Sequence, residues 1–196
     1  GNLDVELEYK NSDTTSFTKA DKNTKVFKEG ALWEPGHVEY VVLRVSNAGS
    51  LALKYKLGIN IANEVSSTNV YDKAFNLSDY IRFAVLNDDQ SGLGRDALVA
   101  AATDSKLIKE GYTAEDNMTA GAEKVVTLVV WMPTTVGNEA NHKTGVTAPS
   151  IDLGITVVAT QYTHENDSFD NQYDKDATYP VTDATSIATA VADLAN

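Results

Sequence analysis

The stretch Lys124-Val125-Val126-Thr127-Leu128-Val129-Val130-Trp131-Met132 decides how this chain folds. Only Lys124 and Thr127 interrupt its apolar run, and Pro133 ends it. Val, Trp and Thr suit a pleated surface. A strand apolar at both alternating positions is covered on both faces, so it belongs in the middle of a sheet. Ile151–Gln161 reads the same way. Ile81–Leu86 is a further strand, and Leu3, Val5, Leu7 and Tyr9 alternate with Asp4, Glu6, Glu8 and Lys10, a strand with one wet face. Val38–Val45 is β-rich, and Leu53, Tyr55, Leu57, Ile59 and Ile61 alternate with polar residues. Between them lies the turn signal Asn47-Ala48-Gly49-Ser50, so Val38–Ile61 is expected to form a hairpin. Pro35-Gly36 suits a type II turn, because Pro presets φ and Gly accepts a positive one.

Helices belong to the connections. Leu77–Tyr80 suits one short turn. Asp96–Lys109 has helical spacing and no Gly or Pro, and Gly111 would stop it. Gly92-Leu93-Gly94 is loop punctuation. The tail carries Ile187, Val191 and Leu194 at helical spacing, which reads as a short amphipathic helix or a frayed end. Strands outnumber helices and follow one another without βαβ order. The expected fold is all-β: an antiparallel, jelly-roll-like β-sandwich with short helices in the connections. Residues 1–180 form one domain in this reading, and residues 181–196 a tail or short helix.

Composition excludes several classes. The chain has 196 residues, a net charge of -12, an isoelectric point near 4.5 and no Cys. Zero cysteines remove disulfide scaffolds, thiol chemistry and Cys-based metal centres. The acidic balance opposes a phosphate backbone and an anionic membrane, so neither nucleic acid nor a lipid surface is an expected partner. No apolar run is long enough for a transmembrane segment.

Motifs for chemistry are sparse. There is no His-Glu-x-x-His, no Gly-x-Ser-x-Gly and no Walker loop. His37, His142 and His164 sit beside loop residues, far apart in sequence, and read as solvated histidines more readily than as zinc ligands. Ser50 and Ser168 have no marked base partner. Trp33 and Trp131 read as core residues. The densest polar cluster is Glu165, Asp167, Asp170, Asp174 and Asp176, interleaved with Asn166 and Asn171. Calcium takes six to eight oxygen ligands, and Asp/Asn loops supply them. Asp167, Asp170 and Asp174 are the calcium candidates, with Asp88-Asp89 as a second contributor. Against this stands a plain solvated loop anchored by Phe169 and Tyr173; the spacing does not match an EF-hand. No other cofactor is expected.

Three blocks carry a resemblance. The first is Leu32-Trp33-Glu34-Pro35-Gly36 with Val45–Leu51 and Leu53–Leu57. The second is Trp131-Met132-Pro133 with Gly137–Asn141. The third is Ile155–Gln161 running on to Asp167-Ser168-Phe169 and Tyr173-Asp174. Together they resemble the TasA/camelysin family of secreted Gram-positive proteins. The resemblance implies a leader cut by a dedicated signal peptidase, a secreted or cell-surface location, and a structural role as a biofilm matrix fibre subunit. It also implies that an N-terminal segment, upstream of Gly1 and outside this chain, completes the sheet of the next subunit. Leu3, Val5, Leu7 and Tyr9 are then the expected assembly edge, with an open groove nearby. The resemblance includes a metalloendopeptidase label, but no zinc motif supports it and no catalytic residue is carried over. An adhesin-like binding module is the alternative to the fibre subunit.

Overall fold

A computed structural model describes residues 1–27 and 33–162, and the backbone of 183–191. Its strands are β1 (Val5–Asn11), β2 (Thr18–Lys19), β3 (Val38–Asn47), β4 (Leu53–Val65), β5 (Ser67–Thr68), β6 (Ala74–Phe75), β7 (Arg82–Asn87), β8 (Lys106–Leu107), β9 (Tyr112–Met118), β10 (Glu123–Trp131), β11 (Ser150–Gln161) and β12 (Asp183–Val191). They form an antiparallel sandwich: one sheet runs β2-β1-β3-β10-β7-β8 and the other β12-β11-β4-β9. β5 and β6 pair as a small separate ribbon.

The apolar run at 124–132 lies where its pattern demands. β10 has β3 on one side and β7 on the other. Val126, Leu128, Val130 and Met132 enter the core between the sheets. Val129 and Trp131 face outward under the helix α1 (Arg95–Ala101), where they pack with Val38, Ala84, Leu98 and Ala102. Central strands covered on both faces read as continuous apolar sequence. β4 and β11 instead alternate, since only one face is buried, and Leu53, Tyr55, Leu57 and Ile59 meet Leu153, Ile155, Val157 and Ala159 in the main core.

Three expectations change. Val38–Ile61 is not a hairpin: β3 and β4 belong to different sheets, and residues 48–52 carry the chain from one to the other. The turn is pinned by the residues that lead into β1, not by β4. Ala48 N–H donates to Asp4 C=O at 2.9 Å and Ser50 N–H to Asn2 C=O at 3.1 Å. A Cβ on Gly49 would stand 2.5 Å from Asn2 C=O, so only Gly permits this approach. The helix expected over Asp96–Lys109 ends at Ala101. Lys106–Leu107 pairs with β7, and Ile108–Glu110 is one 3-10 turn that Gly111 ends at φ +69°. The helix expected in the tail is the strand β12, paired with β11. Thr185, Ile187, Thr189 and Val191 place β-branched residues at every second position, and a neighbouring strand edge outweighs the weak helical spacing. The Pro35-Gly36 turn is as expected: His37 N–H donates to Glu34 C=O at 2.9 Å, and Gly36 has φ +88°. Leu77–Asp79 is a single 3-10 turn.

Candidate strand-accepting seam

The strand β7 is flanked unequally. Along β10 it is paired over its whole length, but β8 covers only Arg82 and Phe83. Register parity tells where the main-chain groups point. Asp88 N–H donates to Val125 C=O at 3.0 Å, so even-numbered residues face β10. Ile108 N–H donates to Ile81 C=O at 2.8 Å, so odd-numbered residues face the other flank. Past β8, therefore, the N–H and C=O of Val85 point to a flank where no strand lies among the described residues. Asn87 C=O already accepts the Gln90 side-chain amide at 2.8 Å.

The facing sheet ends on the same side. β9 pairs with β4 alone among the described residues. Between these two flanks lie two clefts that share Val85 and Tyr112. One, of about 300 Å³, is bounded by Phe83, Leu86, Ala102 and Asp104. The other, of about 120 Å³, is bounded by Leu57, Ala114, Asp116 and Val126. Phe83 and Tyr112 meet edge to face, ring centroids 6.4 Å apart, a favourable aromatic geometry. The helix α1 anchors residues 102–105 above the first cleft by burying Leu98 and Ala102. Burial first, then the Asp116 charge, pushes the Tyr55 hydroxyl up, and burial does the same to Tyr112. The seam is thus a pair of clefts of mixed polar and apolar lining, beside a flank of β7 that no strand covers at Val85 among the described residues.

The strand expected as the assembly edge, β1, lies next to the end of its sheet, where β2 covers it only at Glu8 and Tyr9. Val5 and Leu7 are buried in the main core, with Leu3 and Tyr9 packed against it. β1 is paired with β3 along its length and with β2 over Glu8 and Tyr9. These four side chains hold the sandwich together and do not face a groove. Sequence reasoning missed the seam because β9 reads as loop: Tyr-Thr-Ala-Glu-Asp-Asn-Met carries its polar residues on an exposed edge. The available signal was Thr113 and Glu115 alternating with Tyr112 and Ala114.

Other candidates disperse. Asp167, Asp170, Asp174, His164 and Ser168 lie outside the described residues. Among the described residues no group of three His, Asp or Glu could hold a metal ion. His37 Nε2 lies 2.8 Å from the buried Glu39 carboxylate, and the Trp33 ring meets the His37 ring edge-on at 5.2 Å. Asn69 forms an isolated bridge with His142. Ser50 Oγ accepts the Asn2 N–H at 2.9 Å. Trp33 and Trp131 are buried.

Asp89 belongs to a tether on the outer face. Its carboxylate lies 2.5 Å from Lys10 Nζ, and Lys10 and Arg44 both stack on Phe17. Partial burial pushes the Asp89 carboxyl up, but Lys10 and the hydroxyl and N–H of Ser91 outweigh it and hold it at about 2. A depressed carboxyl contributes stability above its unfolded value, near 4, and loses it as pH falls toward 2. The group is a third exposed, so the contribution is at most about 1 kcal/mol. Asp89→Asn is expected to lower stability by that amount at pH 6 and by only a small fraction of it at pH 2, as read by urea unfolding at both pH values.

No family model and no curated protein matches the chain. Solved structures align with the chain, two of them as follows. The ASH/PapD-like domain of human CEP192 (PapD-like domain 7) aligns at 10% identity and a TM-score of 0.34, covering 94% of this chain and 82% of that one. The N-terminal domain of PorA aligns at 10% identity and a TM-score of 0.35, covering 96% of each.

Proposed function

We propose that this protein is an extracellular or cell-surface structural subunit that self-associates by strand complementation. The observation that carries the reading is the flank of β7 that no strand covers at Val85 among the described residues, beside a cleft that Phe83, Val85 and Tyr112 help to line. Unpaired N–H and C=O groups next to exposed apolar surface are satisfied together by one added strand. The donor in this reading is an extended segment N-terminal to Gly1. β1 lies three strand spacings from β7, roughly 14 Å at 4.8 Å each. Donor and acceptor then occupy opposite flanks, and such contacts are heterologous and extend into a filament unless they close into a ring. The TasA/camelysin resemblance supports a matrix fibre as the product, with no enzymatic step and no cofactor. The acidic surface keeps free subunits apart.

A second reading rests on the β5–β6 ribbon. Its tip exposes Val70 and Tyr71, with Tyr71 60% exposed. Asn69 holds that tip in shape: its side chain accepts Tyr71 and Lys73 N–H at 2.9 and 3.0 Å and donates to Glu139 C=O at 3.1 Å. A rigid aromatic tip suits an adhesin-like binding module.

The test is to express the chain together with its upstream segment. Electron microscopy and size exclusion are expected to show filaments or a ladder of oligomers. A folded chain that stays monomeric across salt concentrations would end the fibre reading.

A further inference from the structure

β12 is held by one neighbour through a long connection. Among the described residues it pairs with β11 alone and stands last in the four-stranded sheet. Antiparallel neighbours are commonly joined by two to five residues. β11 ends at Gln161 and β12 begins at Asp183, so twenty-one residues join these two. Relative to a hairpin turn, a loop of that length brings its ends together about tenfold less often. No other strand is paired through β12. β11 keeps β4 from Ser150 to Gln161, and the six-stranded sheet is separate. The sequence of β12 carries no Pro, no Lys and no charge after Asp183, so it lacks the devices that keep edge strands from pairing with other molecules.

We infer that the flank of β11 also accepts β12 from a second copy of this chain, so that two molecules exchange these strands. The register fixes the occupant. From Asp183 opposite Ala159 to Ala188 opposite Gly154 the pairing is unbroken, and Val191 then lies opposite Asp152. β12 thus spends one residue more than β11 over this step. β4 makes the same adjustment on the other side, with Asn63 opposite Asp152 and Ile61 opposite Leu153. Such a bulge pins the strands that carry it. A strand without the extra residue would keep register on only one side of the step, and a one-residue slip turns every side chain to the other face. The strand that meets this pattern is β12 itself, whichever molecule it belongs to. An exchanged strand makes the same contacts as a closed one, so concentration sets the balance. This contact goes beyond the proposed complementation. Its donor lies within the chain and its acceptor in the other sheet, so its failure leaves that reading standing.

Introduced thiols test this without background, because the chain has no Cys. Thr156 lies directly opposite Ser186. Antiparallel partners stand about 4.5–5.5 Å apart, within the separation a disulfide spans. Thr156→Cys and Ser186→Cys chains, one of them affinity-tagged, are mixed in urea, refolded together, concentrated to about 1 mM and oxidised. A covalent heterodimer is expected. Thr113→Cys, at an exposed position on β9, takes the place of Thr156→Cys as the measure of chance collision. Its yield with Ser186→Cys is expected to be about tenfold lower. Both Thr156→Cys and Ser186→Cys in one chain are expected to close within that chain at about 10 µM, where exchange is disfavoured. Closure of this double variant, with no heterodimer above the Thr113→Cys level at the higher concentration, would overturn the exchange. A double variant that does not close would overturn the pairing on which the exchange rests.

Discussion

Asn47→Ala is expected to lower stability by about 3 kcal/mol, the cost of leaving several buried polar groups without partners. Asn47 is the last residue of β3 and is 2% exposed. Its side-chain amide donates to Leu51 C=O at 2.8 Å and to Met118 C=O at 3.2 Å, and its side-chain oxygen accepts Gly49 N–H at 3.1 Å. Its own N–H and C=O bond Ala122 and Gly121 at 2.9 and 3.0 Å. One residue therefore clamps both connections at this end, from β3 to β4 and from β9 to β10, where the chain changes sheets. Alanine keeps the main-chain pair and loses the other three bonds. Asn47→Asp is expected to be worse, since it drives a carboxylate against two carbonyls. For a chain of this length a loss of about 3 kcal/mol lowers the melting temperature by about 6–12 °C. The exposed Asn138→Ala serves as the control and is expected to move it little. Calorimetry on the three variants decides. An unchanged Asn47→Ala melting point would mean that water replaces the clamp.

The same residue shows what was legible in the sequence. Asn47-Ala48-Gly49-Ser50 announces a turn, and a turn is there. Whether the strands it joins pair with each other is not written locally. That depends on Asn2 and Asp4 approaching Gly49, a contact made across more than forty residues. Strong periodicity survived: β1, β3, β4, β7, β10 and β11 all lie where apolar runs or alternation put them. Weak periodicity did not. The helix at 96–109 and the tail lost to pairing with β7 and β11, because short apolar patterns fit either period and tertiary contact decides between them.

The seam was illegible for a related reason. It is made of what is absent beside β7 and β9 among the described residues, and an unpaired flank leaves no mark on the residues that bear it. The alternation of Leu3, Val5, Leu7 and Tyr9 marks a strand packed on one face, as β1 is, and their reading as an assembly edge came from the family resemblance alone. The proposed acceptor flank is cryptic, since Val85 looks like any strand residue.

That distinction makes Val85→Pro the most informative change for function. The N–H of Val85 points away from β10, so proline removes no existing ladder bond, and edge positions of this kind tolerate it. Ala84, the residue before it, is extended already, as a residue preceding proline must be. Stability is expected to fall by no more than about 1–2 kcal/mol, from the altered packing of a half-buried side chain. Ala84→Pro is the opposite case. Its N–H faces β10, opposite Val129, and its loss breaks a central ladder bond at a cost of about 3 kcal/mol or more. In the chain that carries its upstream segment, Val85→Pro is expected to abolish assembly, because the added strand loses the one donor it must meet and collides with the proline ring. Sedimentation velocity alongside urea unfolding separates the two effects. A Val85→Pro chain that folds normally and still assembles as its parent does would place the acceptor on some flank other than β7.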